Sequence, residues 1–257
     1  MPRSDYRLPR PSIRKLVWSA LAGRTRSFAE DAGAVVQALP RRPLILGAEH
    51  IPSEGACLVT CNHYTQPGLG VWWTALSISA AIAERRGPHA SADVHWVMTA
   101  AWRYPEGNWR RRTVTPLTRW AFARAAGVYD FITMPPLDSE GAVTLPPEDV
   151  EARAVAVLRT VRLARRLVDE GGMLGLAPEG RDTPGLLGEP PPGAGAFVAL
   201  LVAAGLPVLP VGVAEEGDRL RVSFGAPFVP EIPRRRGVRD RAVIDQVMSA
   251  IAAQLPL

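Results

Sequence analysis

His63 stands where a proton could be moved. It lies in Thr60-Cys61-Asn62-His63-Tyr64-Thr65-Gln66-Pro67-Gly68, between a short apolar run, Ala56 to Thr60, and an apolar segment with tryptophans, Val71 to Ala83. That order reads as strand, polar turn, helix, with the imidazole at the strand's carboxyl end. In open α/β sheets ligands collect outside the carboxyl ends of strands, and an imidazole exchanges a proton near neutral pH. A histidine that only ties down the turn is the alternative. A second polar cluster has the same placement. Met173 to Ala177 reads as a strand and runs straight into Pro178-Glu179-Gly180-Arg181-Asp182-Thr183-Pro184-Gly185. A guanidinium there is suited to gripping phosphate bidentately. The plainer reading of Arg181 is an ion pair with Glu179 or Asp182 that closes the loop.

The elements that must hold these clusters can be read in order. Met1 to Pro11 is rich in Arg and Pro. Ser12 is placed to cap a helix from Ile13, in which Ile13, Leu16, Val17 and Leu21 recur beside Arg14, Lys15, Arg24 and Arg26. Such a basic amphipathic helix suits either an anionic bilayer surface or a place on the domain with its basic face in water. A second helix spans Phe28 to Leu39. Pro43 to Gly47 reads as a strand, Val71 to Arg86 as a helix stopped by Gly87-Pro88, and Val94 to Met98 as a strand. Between Trp102 and Trp120, Trp102, Tyr104, Trp109 and Trp120 interleave with Arg103, Arg110, Arg111, Arg112 and Arg119. That composition fits a membrane interface, single-stranded nucleic acid, or an ordinary lid whose rings cover the sheet. Gly127 to Ile132 reads as a strand, Thr133 to Pro147 as a Pro-rich connection, and Glu148 to Glu170 as a helix closed by Gly171-Gly172. A helix over Gly195 to Ala204, strands over Pro207 to Val213 and Arg219 to Phe224, and a helix over Val238 to Leu255 complete the chain. Strands alternating with helices predict an α/β fold, a mixed and mostly parallel sheet flanked by helices. The expected division is a basic helical segment over 1–42 and the α/β domain over 43–257.

The totals agree. A chain of 257 residues, 47% of them hydrophobic, is long enough for one α/β domain with a sizeable core. The net charge of +5 is carried almost wholly by arginine, Lys15 being the only lysine. It points to nucleic acid, anionic lipid or a phosphorylated ligand as partner. Cys57 and Cys61, four residues apart in one strand, would lie about 13 Å apart, too far for a disulfide. They are expected to pack as buried thiols, as in a reducing compartment. The first residues show no secretory signal. The uncharged run Gly193 to Ala214 is broken by Gly205, Pro207 and Pro210, so no membrane-spanning helix is expected.

With these residues in order, the chain resembles the glycerolipid acyltransferases typified by lysophosphatidic acid acyltransferase. Gly47-Ala48-Glu49-His50-Ile51-Pro52 resembles the family's entry strand and turn, and Asn62-His63 the start of its His-x4-Asp block. Gly127 to Ile132 is similar to the second block, and Pro178-Glu179-Gly180-Arg181 to the third. Gly193 to Phe197 and Leu206 to Val211 are similar to the helix and the fourth-block strand. The resemblance runs from about Pro43 to the C-terminus. Two positions depart from it: Gly68 stands where the aspartate belongs, and Thr133 where an arginine would hold the acceptor's phosphate.

The resemblance implies transfer of a fatty acyl group from an acyl-CoA or acyl-carrier-protein thioester to an alcohol, a lysophospholipid or a related lipid. It implies His63 as general base and Asn62, Thr65, Glu179, Gly180 and Arg181 as substrate-binding residues. It implies no metal, no resident cofactor and no nucleic-acid partner, and a peripheral place on the cytoplasmic face of the cell membrane. Main-chain N–H groups in the Gln66 to Gly68 turn or near Gly180 are the expected oxyanion donors. With no aspartate at 68, either Asp130 or Asp182 supplies its role, or a main-chain carbonyl fixes the ring, or the enzyme is slow, since loss of such a partner costs about 10⁴ in rate in a serine protease. The rival readings are a non-catalytic lipid- or acyl-thioester-binding relative, and a hydrolase that uses water as acceptor.

Overall fold

A computed structural model describes residues 6–87, 92–102, 104, 109–135, 147–181 and 186–256. Its sheet is organised around β2 (Cys57–Cys61), in which every side chain is buried. Burial on both faces is what a central strand with parallel neighbours requires. The other strands are β1 (Leu44–Leu46), β3 (Val94–Thr99), β4 (Ile132–Met134), β5 (Met173–Leu176), β6 (Val208–Glu216) and β7 (Arg219–Phe224), in the spatial order β1-β7-β6-β2-β5-β3-β4. All neighbours are parallel except β6 and β7, which form an antiparallel hairpin. The sheet is therefore mixed and mostly parallel, as the alternation of strands and helices predicts.

Side chains alternate between the faces of β2, as a period of two demands. Cys57, Val59 and Cys61 join a core with α2 (Phe28–Gln37) and α3 (Trp72–Arg86). Leu58 joins a second core with α5 (Pro147–Glu170), α6 (Ala194–Ala203) and α7 (Arg236–Ala252). On β5 a side chain at 175 would overlap the Trp96 ring, a Cβ there lying 2.4 Å from it, so Gly175 lets the indole lie flat on the strand. That indole donates to Ser79 Oγ at 3.1 Å, tying α3 to β3.

The segment before residue 43 divides in two. α2 is capped by Ser27, whose hydroxyl accepts the Glu30 N–H, and it packs on α3, with Phe28, Ala32 and Val35 in the first core. Tyr6 is also in that core: its ring meets Trp73 edge-on at 5.4 Å and its hydroxyl accepts the Leu220 N–H at 2.7 Å. Between them α1 (Arg10–Ala22) lies outside, against α4 (Trp109–Tyr129). The cap expected from Ser12 does not form. Pro9 holds the N-cap position with Pro11 just inside the helix, where its missing N–H costs nothing.

The strand expected over Gly127 to Ile132 is displaced. α4 runs on to Tyr129 and the strand begins at Ile132. Asp130 takes the left-handed conformation, φ 53°, and the Phe131 N–H reaches back to the Ala126 carbonyl at 2.9 Å, closing the helix in a Schellman turn. A partly buried cluster pins that end. The Arg26 guanidinium and the Tyr129 hydroxyl both donate to Asp31, which keeps its carboxyl below the ordinary range although burial opposes this. No helix among the described residues is long and apolar enough to cross a membrane.

Candidate active site

Parallel pairing brings the two polar clusters together. Thr60 is level with Leu176 across β2 and β5, so three residues further on His63 is level with Glu179. Glu179 is fully buried; its Oε2 accepts the His63 main-chain N–H and its Oε1 the Gly188 N–H, each at 3.0 Å. Asn62 is equally buried. Its amide donates to the carbonyls of Val213 at 2.8 Å and Leu186 at 2.7 Å, and accepts the Val213 N–H at 2.7 Å. Three loop segments, after β2, after β5 and around 186–188, are thus sewn to one another and to β6 through two side chains. Every polar atom of Asn62 and both oxygens of Glu179 bond main-chain groups.

His63 itself is half-buried on the loop between β2 and α3, as is Thr65. Tyr64 between them is buried, and its hydroxyl donates to Glu215 Oε2 at 3.2 Å. Neither Tyr64 nor Glu215 stands out in the sequence by motif. The available signal is that Glu215 is the first acidic residue after the apolar run of β6, at the same end of the sheet as His63. Gly180 is exposed, with its N–H bonded to the Ala177 carbonyl at 3.1 Å, and Arg181 follows it half-buried. Among the described residues Arg181 pairs with no carboxylate, whereas the sequence had allowed a pair with Glu179. Asp182 to Gly185 lie outside the described residues, as does Arg103.

Position 68 lies in a tight turn after His63. Gln66 and Leu69 exchange both main-chain bonds, at 3.1 and 2.8 Å, around Pro67-Gly68. Proline followed by glycine at φ 83° is a type II turn, whose third position favours a residue without a side chain. The turn also engages the Gln66 N–H, and the Gly180 N–H is taken as well, so two of the expected oxyanion donors are already bonded. Proline has no N–H, which leaves that of Gly68 in this turn.

Asp130 does not serve His63. It precedes β4 at the amino end of the sheet, where Arg166 donates to its carboxylate and its main-chain oxygen lies 3.1 Å from His95 Nδ1. Counting strand spacings and residues along them puts it roughly 20 Å from His63. Thr133 sits half-buried on β4, three strands from β2. The two cysteines are free and buried, as expected. Burial raises Cys57 to about 11, and burial together with the negative charge of Glu179 raises Cys61 further. An open cleft of about 580 Å³ lies between the start of β1 and the β6–β7 turn. Arg41 and Asp218, which line it, pair with each other, and β6 and β7 separate it from β2.

No family model matches the chain, and no curated protein matches it in sequence. Among solved structures it is similar to the crystal structure of the 1-acyl-sn-glycerophosphate (LPA) acyltransferase PlsC from Thermotoga maritima. The identity is 16% and the TM-score 0.44, over 98% of this chain and 85% of that one.

Proposed function

We propose that the chain is an O-acyltransferase that moves a fatty acyl group from an acyl-CoA or acyl-carrier-protein thioester to an alcohol, a lysophospholipid or a related lipid. It works peripherally on the cytoplasmic face of the cell membrane. The observation that carries this reading is the bond from the His63 main chain to Glu179. It joins, at the carboxyl ends of adjacent strands, the two motif blocks that hold the histidine and the arginine. The imidazole takes the acceptor's hydroxyl proton while the oxygen attacks the thioester carbonyl carbon. The tetrahedral oxyanion collapses, the C–S bond breaks, and the imidazolium returns the proton to the leaving thiolate. Arg181 supplies the cation for a phosphate of the donor or acceptor. The Gly68 N–H faces the developing oxyanion, and Thr65 lines the acceptor side. Asn62 and Glu179 act at one remove, by holding the loop that bears the histidine.

Gly68 favours a second reading, a binder of acyl thioesters or lipids without turnover, because the Pro67-Gly68 turn leaves no carboxylate at that position to steady the ring. Free thiol released from acyl-CoA, measured for wild type and His63→Ala with and without a lysophospholipid, separates the readings. The two buried cysteines leave the released thiol as the one a thiol reagent reads. The acyltransferase reading expects alcohol-dependent release that falls about 10²- to 10⁴-fold in the variant. Equal rates remove His63 from the mechanism. Binding without release supports the second reading, and fatty acid formed without added alcohol marks a hydrolase.

A further inference from the structure

We infer that the outward faces of α1 and α4 form one docking surface for an anionic phospholipid bilayer, at the end of the sheet that bears His63. The inference rests on the lipid reading above and names the surface through which that site meets its membrane.

α1 packs inward through Ser12, Leu16, Ser19 and Ala20, which share one side of the helix at 100° per residue. Its larger apolar residues point the other way: Ile13, Val17, Leu21 and Trp18 are exposed, Trp18 by 68%. α4 repeats the pattern. Thr118, Phe122 and Ala126 turn inward, while Trp109, Leu117 and Trp120 recur on the outer side and are exposed by 66%, 63% and 52%. Arginine is threaded through both faces. The guanidinium of Arg110 lies 5.8 Å from the Trp109 ring, and that of Arg124 lies 5.9 Å from the Trp120 ring. The two helices carry eight basic residues and no acidic one.

Position links this face to the site. Tyr6, just before α1, is fixed to Trp73 and Leu220, both at the carboxyl end of the sheet. Beyond α1, the Arg26 N–H bonds the Val128 carbonyl near the end of α4 at 2.8 Å. The helices therefore run side by side in one direction. The Trp102 N–H donates to Thr118 Oγ1 at 3.2 Å just past the end of β3. The nine residues before Thr118 then project about 13 Å beyond that edge of the sheet.

The chemistry selects a bilayer. Aromatic rings settle at headgroup level and arginine stems lie along apolar surface with their heads in water. The aliphatic residues have a partner in acyl chains but none in nucleic acid, which is held by stacking and phosphate contacts. A second copy of the chain would set like charges against each other across a two-fold contact. Basic residues near an anionic surface each add to the attraction.

The test is sedimentation with phosphatidylcholine vesicles, with and without phosphatidylglycerol, at low and high salt. The protein is wild type, Trp18→Ser/Trp109→Ser/Trp120→Ser, or Arg110→Gln/Arg112→Gln/Arg124→Gln. All six positions are exposed, so unchanged circular dichroism is expected. Wild type is expected to bind the phosphatidylglycerol vesicles in a salt-sensitive way. The tryptophan variant should bind at least about tenfold more weakly, and the arginine variant should lose the preference for phosphatidylglycerol. Wild type that ignores these vesicles, or a tryptophan variant that binds like wild type, overturns the inference. So does a dimer dissolved by the same substitutions, or single-stranded oligonucleotide that displaces the protein from vesicles. Release of thiol from a short-chain acyl-CoA without vesicles should be unchanged in the tryptophan variant and lost in His63→Ala. Loss of His63 dependence alone therefore removes the reaction and leaves the docking surface standing.

Discussion

Glu179 is a buried carboxylate that receives two main-chain N–H groups, and this geometry fixes what replacing it does. In Glu179→Gln the amide keeps one acceptor and turns its NH₂ toward the other N–H, so one buried donor loses its partner. The expected cost is about 1–3 kcal/mol, read as a lower urea midpoint with an unchanged slope. An unchanged midpoint would show that the two loops do not depend on the tie. Gly68 poses the opposite question. Gly68→Asp restores the carboxylate that the motif resemblance calls for, but at φ 83° the side chain strains the turn by about 1–2 kcal/mol. The variant is expected to be less stable and no faster in releasing thiol from acyl-CoA. A faster variant would mean that the turn can rearrange to bring a carboxylate to His63. The placement of His63 and Arg181 just beyond the carboxyl ends of β2 and β5 was legible in the sequence, because a short apolar run followed by a polar cluster marks a strand end. The work of Glu179 and Asn62 was not, because it depends on the N–H and C=O groups of Gly188, Leu186 and Val213, and only the folded register supplies these.

α2 shows how an element's end is fixed from two distances along the chain. Ser27 caps it locally, and Asp93, at the start of β3, accepts from both the Ser27 hydroxyl at 3.0 Å and the Ala29 N–H at 2.6 Å. Asp93→Ala removes an acceptor from an N-terminal turn and frees the capping hydroxyl. It is expected to cost about 1–2 kcal/mol, seen in thermal melts as a lower midpoint. Asp93→Asn, which keeps an acceptor oxygen, should recover more than half of that loss. Most helices could be read from sequence, α5 from an apolar stripe that follows a period of 3.6, whereas the cap was expected at Ser12 and the one that forms is Ser27. The strand after α4 could not be read. Val128, Tyr129 and Phe131 are β-prone residues, yet a Schellman turn at Asp130 and the partly buried Arg26–Asp31–Tyr129 cluster hold the first two in the helix. Tertiary contacts override local preference there. Exposure is illegible in the same way: the Trp and Arg pattern of α1 and α4 is plain in the sequence, while only the fold reveals that their apolar sides face outward.

Two cores share one sheet, and at the scale of the whole molecule stability rests on keeping the strand between them uncharged. Both thiols of that strand, Cys57 and Cys61, face the core made by α2 and α3. Burial raises Cys57 from its ordinary 9.0 to about 11, and Cys61 shifts further in the same direction. In the unfolded chain each thiol begins to lose its proton near the ordinary value, while the folded protein still holds it. Above that pH the unfolded state binds fewer protons, so stability falls as pH rises. The contribution is fully present below about pH 9 and disappears as pH climbs through 11, first for Cys57 and later for Cys61. Wild type should therefore lose stability steeply over this window. Cys57→Ala/Cys61→Ala starts less stable, because a buried sulfur is deleted twice, but should decline less steeply by up to about 1.4 kcal/mol per pH unit for each thiol. Tyr129, also raised by burial, steepens the alkaline end equally in both proteins and cancels in the comparison. Urea denaturation of the two proteins at successive pH values between 8 and 11 reads the difference directly. Parallel curves would mean that water reaches the thiols and that the central strand is not sealed on its α2–α3 face.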